Sequence, residues 1–168
     1  EWRALRPMPY RFASWVGYDM DGRTDIGWST SIHYRLGEKA LRLARYAAQL
    51  AAIDPAHPVL AALTAAHEHT AELEVLFAGD LTDPAALSQA ANRLTADHPA
   101  RLIKLAPLIA ELEASAQTAD AETATRLLVL SAAMQADGLG MGGIHFRVNA
   151  SQLQNAIRRR IDPENRLD

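Results

Sequence analysis

Four Asp-containing stops divide this chain and constrain its fold more than any other feature. Asp54-Pro55, Asp83-Pro84, Asp97-His98-Pro99 and Asp120 each follow one apolar-periodic run and precede another. An aspartate before a helix accepts hydrogen bonds from the first free backbone N–H groups. A proline in the first turn gives up only an N–H that has no intrahelical partner. The punctuation therefore predicts successive helices over about 25–52, 58–77, 84–96, 98–112 and 121–136. Asp25 is the expected cap of the first, and Ile32, Leu36, Leu43 and Leu50 form its apolar stripe. The second ends near Gly79. In the fourth, Leu102, Leu105, Ile109 and Leu112 keep helical spacing and Pro107 is expected to kink the helix. Gly138 is the expected left-handed stop after the fifth. Alanine fills about a fifth of the chain, which favours closely packed helices.

The ends read differently. Residues 11–17 and 143–149 have strand character. In the second run Ile144, Phe146 and Val148 alternate with His145, Arg147 and Asn149, which share the opposite face. A last helix is expected over 151–160. The fold class is thus mainly α: a bundle of five to six helices with two short strand segments at its ends. Two strands make no independent sheet, so they pair with each other or with something beyond this chain. The organisation is 1–24 as a strand and turn, 25–137 as a helical excursion, and 138–168 as a return strand and helix.

Composition narrows the function classes. A length of 168 residues suits one domain with a real core, and 49% apolar with 22% charged is an ordinary globular balance. The formal net charge of −3 gives no basic field to attract nucleic acid or a membrane surface. The absence of cysteine excludes disulfides and thiolate chemistry and fits a reducing compartment. With no signal peptide and no apolar run of membrane-spanning length, the expected location is the cytoplasm. The chain opens on Glu1-Trp2-Arg3 and closes on Arg166-Leu167-Asp168; on that basis it is expected to be a piece of a longer protein.

Candidate chemistry centres on Asp19-Met20-Asp21-Gly22. Asp-x-Asp-Gly after a strand resembles the opening of haloacid-dehalogenase-like phosphatases, where one carboxylate attacks phosphorus and the other moves a proton. That family needs alternating strands and helices and a late acidic pair, whereas this chain has a helical middle. An EF-hand fails too: counted from Asp19, the glycine comes too early and Thr30 occupies the position of the bidentate glutamate. His67-Glu68-His69 with Glu72 reads as a solvated helix face, because residues two apart do not face each other. Arg158-Arg159-Arg160 reads as a basic helix C-terminus. His145, Arg147 and Asn149 read equally as the open face of a sheet or the lining of a polar pocket.

Taken together, the two ends resemble phosphoenolpyruvate carboxylases. Ser14-Trp15-Val16-Gly17-Tyr18-Asp19-Met20-Asp21-Gly22 is similar to the family's Ser-Trp-x-Gly-Gly-Asp-Arg-Asp-Gly-Asn-Pro signature at the end of a barrel strand. The family then makes a long helical excursion and returns on a strand patterned Arg-x-Asp-x-Arg-Gln. Here that position is held by His145-Phe146-Arg147-Val148-Asn149-Ala150. The resemblance implies part of an α/β barrel plus its helical excursion. The parent enzyme would add bicarbonate to phosphoenolpyruvate with magnesium or manganese, giving oxaloacetate and phosphate, and would be a homo-oligomer. Trp15 would wall the apolar side of the substrate pocket, with His145, Arg147 and Asn149 as substrate contacts and Asp19, Asp21 and Gly22 shaping the turn.

This sequence also departs from the pattern. Tyr18 replaces a glycine, Met20 an arginine, and Arg23-Thr24 the Asn-Pro pair. Asn149 stands where the family has a substrate-binding arginine and Arg147 where it has aspartate, so Arg147 is the expected replacement cation, two residues away on one strand face. The family's catalytic histidine precedes this motif and its metal carboxylates follow the return strand; neither set is matched here. The 168 residues alone are therefore expected to be inactive. The rival expectation is a self-contained helical module that binds a partner and catalyses nothing.

Overall fold

The computed structural model describes residues 2–5, 13–15, 17–19, 23, 25–140, 142–144, 149–162 and 164, without the Gln152 side chain. Among these residues a short 3₁₀ turn at Trp2–Ala4 precedes β1 (Ala13–Ser14). Five helices follow: α1 (Trp28–Ala51), α2 (Pro58–Ala78), α3 (Pro84–Thr95), α4 (Ala106–Thr118) and α5 (Ala121–Asp137). The described chain closes with β2 (Gly143–Ile144) and α6 (Ala150–Ile161). None of these helices is long and apolar enough to cross a membrane.

Helix starts follow the predicted chemistry at two places. Asp83 accepts from Ala85 N and Ala86 N (3.4 and 3.0 Å), and Asp120 from Glu122 N and Thr123 N (2.9 and 3.0 Å). The Asp120 carboxyl is held below its usual range chiefly by the Thr123 N–H, which favours the charged form. The cap of α2 is His57, for which no partner was foreseen: its Nδ1 accepts from Val59 N (3.2 Å), and its Nε2 lies 3.0 Å from Ser115 Oγ of α4.

Two starts differ from expectation. α1 begins at Trp28 with Gly27 as its cap, not at Asp25, whose carboxylate is taken by Arg23. α4 begins at Ala106, so residues 98–105 are not helical. Pro107 then lies in a first turn, where its missing N–H costs nothing, and no kink follows. Leu102 and Leu105 still reach the core from this irregular connector, so their spacing reflects burial without a helix.

The core follows from stripes spaced three and four apart. Leu36, Ala40, Leu43 and Leu50 on α1 face Val59, Leu63, Ala66, Leu73 and Phe77 on α2, a spacing that seats side chains of paired helices into each other's grooves. The larger cluster joins Leu43, Tyr46, Leu50, Val59 and Leu63 to Leu112 of α4 and Leu127, Leu130 and Met134 of α5. A smaller one, Leu36, Leu73, Phe77 and Ala90, seats α3 on the other end of the α1–α2 pair.

β1 and β2 pair with each other, and in parallel: Ala13 lies opposite Gly143 and Ser14 opposite Ile144. A parallel pair needs a long crossover, which the helices supply. The strand reading of Asn149 is corrected, because it caps α6 and accepts from Ser151 N (2.8 Å).

Candidate functional site

The site is built on α1, whose first half holds the turn beyond β1 and whose second half holds the connection that leads into β2. Beyond β1 the chain turns at Gly17, where Tyr18 N donates to Trp15 O (2.8 Å). Ser31 of α1 donates its hydroxyl to Gly17 O (2.6 Å) from a buried position. Tyr18 is 3% exposed and its hydroxyl donates to Glu38 Oε2 (3.0 Å), which Arg35 also approaches at 3.4 Å. Burial, reinforced by Glu38, pushes the Tyr18 hydroxyl up to about 12, so it stays a donor over the whole neutral range. Tyr18 and Ser31 thus dock this turn on α1 together.

The return connection is held from the same helix. Arg42 donates through Nε to Gly140 O (2.8 Å) and through Nη1 to Asp137 Oδ2 (2.8 Å). Tyr46 donates its hydroxyl to Gly138 O (2.8 Å). Gly138, at φ +62°, ends α5 in a conformation that favours glycine. Gly140 leaves room for Arg35, whose Nη1 would lie 1.9 Å from an added Cβ.

An open cleft of about 330 Å³ lies over the first turn. Trp15 and Tyr34 line it with half-exposed rings, joined by Asp19, Arg23, Asp25 and Thr30. Arg23 and Asp25 form an exposed ion pair, which holds the Asp25 carboxyl below its usual range. Asp19 presents a buried Oδ1 that has no hydrogen-bond partner among the described residues. With the Arg23 charge taken by Asp25, the described lining offers an anionic ligand no unpaired cation. Such a ligand would need a positive group from another segment.

Gly17 fixes the cleft floor. Its φ is +81°, and an added Cβ would sit 2.4 Å from Cδ2 of Tyr34. Gly17→Ala is expected to destabilise the fold by about 1–3 kcal/mol, since a non-glycine residue is strained at this φ. Tyr34→Ala in the same chain should recover the steric part and leave the backbone part. Thermal unfolding of the single and double variants checks this, and a single variant as stable as the parent would refute it.

The structure places two of the sequence-derived candidates, Trp15 and Asp19, together in the cleft. Asn149 is spent on the α6 cap, and Asp21, Gly22, His145 and Arg147 lie outside the described residues. The solvated-face reading holds for Glu68 and Glu72, which are exposed, but not for the two histidines. His67 Nδ1 donates to Ala40 O (3.0 Å), and His69 is buried beneath His98, while Glu72 pairs with Arg93 (3.0 Å). Tyr18, Ser31, Arg42 and Tyr46 were missed as positioning residues. Their one sequence signal was a set of polar groups on the first helix, and their partners are 14 to 98 residues away.

The divalent metal implied by the resemblance finds no donor set among the described residues, where no three His, Asp or Glu side chains converge. Among the described lining residues Asp19 is the carboxylate without an ion-pair partner, and no metal-dependent step is derived from it. No protein-family model, curated protein or solved structure matches this chain.

Proposed function

We propose that this chain is a segment of a phosphoenolpyruvate-carboxylase-like enzyme, which adds bicarbonate to phosphoenolpyruvate to give oxaloacetate and phosphate. The observation that carries this reading is the parallel pairing of β1 with β2. Parallel pairing brings the C-terminal ends of both strands, Ser14 and Ile144, to one edge, the edge from which the chain leaves toward each motif. In parallel α/β architectures substrates bind at that edge.

Within this reading Trp15 walls the apolar side of the pocket, where a rigid indole face suits a methylene group. Arg147 supplies the cation that the described cleft lacks, holding a phosphate or carboxylate through two N–H bonds. His145 lies two residues from it on the return segment. Asp19, with Asp21 and Gly22, shapes the turn. Magnesium or manganese would be held by the remainder of the parent chain and would supply charge stabilisation to the phosphoryl group.

A second observation is in keeping with the segment reading. α6 has no buried side chain among those described, and Leu153, Ile157 and Ile161, spaced four apart, are 50–70% exposed. An apolar stripe of that kind requires cover. In a larger barrel the neighbouring elements of the same protein would provide it.

The test is the complete reading frame. Its product, assayed with phosphoenolpyruvate, bicarbonate and magnesium, should form oxaloacetate, and Arg147→Ala should raise KM more than it lowers kcat. The 168-residue chain alone should form none. Oxaloacetate from the isolated chain would overturn the segment reading. A frame without the family's catalytic-histidine segment upstream would leave the helical binding module standing.

A further inference from the structure

The connector between α3 and α4 lies on the α1–α2 pair through one aromatic contact. His98 stacks on His69 of α2 with ring centroids 4.3 Å apart and planes within 7°. The exposed His98 covers a His69 that is 7% exposed and whose Nε2 has no hydrogen-bond partner. The His98 ring also shapes its own loop: its Nδ1 accepts from Ala100 N (3.2 Å), and its carbonyl accepts from Arg101 N (2.9 Å). An Nδ1 that accepts a backbone N–H carries no proton, so the closed loop selects the neutral ring.

From this geometry we infer that the His69–His98 stack is an acid-released latch, which holds residues 97–101 against α2 while both rings are neutral and frees them on protonation. Two effects act together. A proton on His98 Nδ1 replaces the acceptor of the Ala100 bond with a donor. A proton on each ring then sets two like charges face to face in a partly dry contact.

The surroundings do not compensate. Lys39 from α1 and Arg93 from α3 add positive charge around His69, and Arg101 from the connector adds it around Lys39. Glu72 on α2 is the opposing carboxylate, and it is already paired with Arg93. Burial first, then His98, holds the His69 ring below its ordinary range. Because protons bind the open loop more readily than the closed one, the latch is at full strength above a histidine's usual value of about 6.5. It weakens as pH falls below that value. Leu102 and Leu105 remain packed in the core beyond the loop, so release is local.

Amide hydrogen exchange of the 168-residue chain, expressed as protection factors, tests this between about pH 7.5 and about pH 5, on either side of the histidine range. Protection of the Arg101 amide should fall severalfold. Core amides of α5 should keep theirs. His98→Phe retains a stacking ring that cannot ionise and should abolish the fall. In the native chain, the His69 ring should titrate in NMR below about 6.5. Unchanged Arg101 protection, an equal fall in His98→Phe, or an ordinary His69 midpoint would each overturn the latch. The last measurement needs no variant, so the inference stays open to refutation if His98→Phe fails to fold.

Discussion

Replacing Leu63 with alanine is expected to lower the unfolding free energy by about 2–5 kcal/mol, the range for truncating a buried leucine. Leu63 is fully buried in the cluster where α1 and α2 meet α4 and α5. Its side chain is part of a contiguous set that includes Leu43, Leu50, Leu112 and Leu127. Losing it removes apolar transfer energy and leaves a cavity that four packed helices cannot all collapse to fill. Against a total stability of about 5–15 kcal/mol for a domain, that is a large fraction. Urea unfolding followed by far-ultraviolet circular dichroism measures it as a lower midpoint at unchanged slope. Leu41→Ala, at a position 76% exposed on the same hairpin, should change stability by no more than about 0.5 kcal/mol. Equal effects at the two positions would contradict the packing described here.

Arg42→Ala is expected to detach the return connection from α1. The guanidinium holds the Gly140 carbonyl and the Asp137 carboxylate at once, with both charged side chains largely shielded from water. Without it two acceptors near the end of α5 lose their donor, at a cost of about 1–3 kcal/mol for bonds to charged groups. Arg42→Lys should recover little, because a single ammonium cannot reproduce the planar fork that meets both acceptors. The amide of Gly142, which donates to Asp137 O (2.9 Å), reports the local effect. Its exchange protection should drop in both variants more than that of α2 core amides. Undiminished Gly142 protection in Arg42→Ala would show that Tyr46 alone holds the connection.

The latter change bears on function, because α1 is the shared support of the two segments that define the cleft and the return strand. Ser31, Glu38, Arg42 and Tyr46 occupy the same helix and reach opposite ends of the crossover. A helix is stiff over this length, so the relative placement of β1 and β2 is set by side chains on one rigid element. The two-residue strand pair by itself is far too short to set it.

What the amino-acid order determined alone was the helical middle and most of its boundaries. Capping and apolar spacing are local, acting over three to seven residues, and they survive removal from tertiary context. The Asp83 and Asp120 caps, the 36–43–50 stripe and the Gly138 stop follow from such local rules. Tertiary structure decided the rest. Leu102 and Leu105 keep helical spacing without a helix, because the same burial can be met by an irregular connector pinned at both ends. His57 met Ser115 with its second ring nitrogen, and His69 became the buried half of a stack, only when Ser115 and His98 arrived from segments 58 and 29 residues away. Tyr18 occupies a glycine position of the resembling motif and has its physical explanation in Glu38, one helix further on. The parallel pairing of the strands likewise depends on the full path of five helices, because the register of two short strands carries no signal until their ends are brought together.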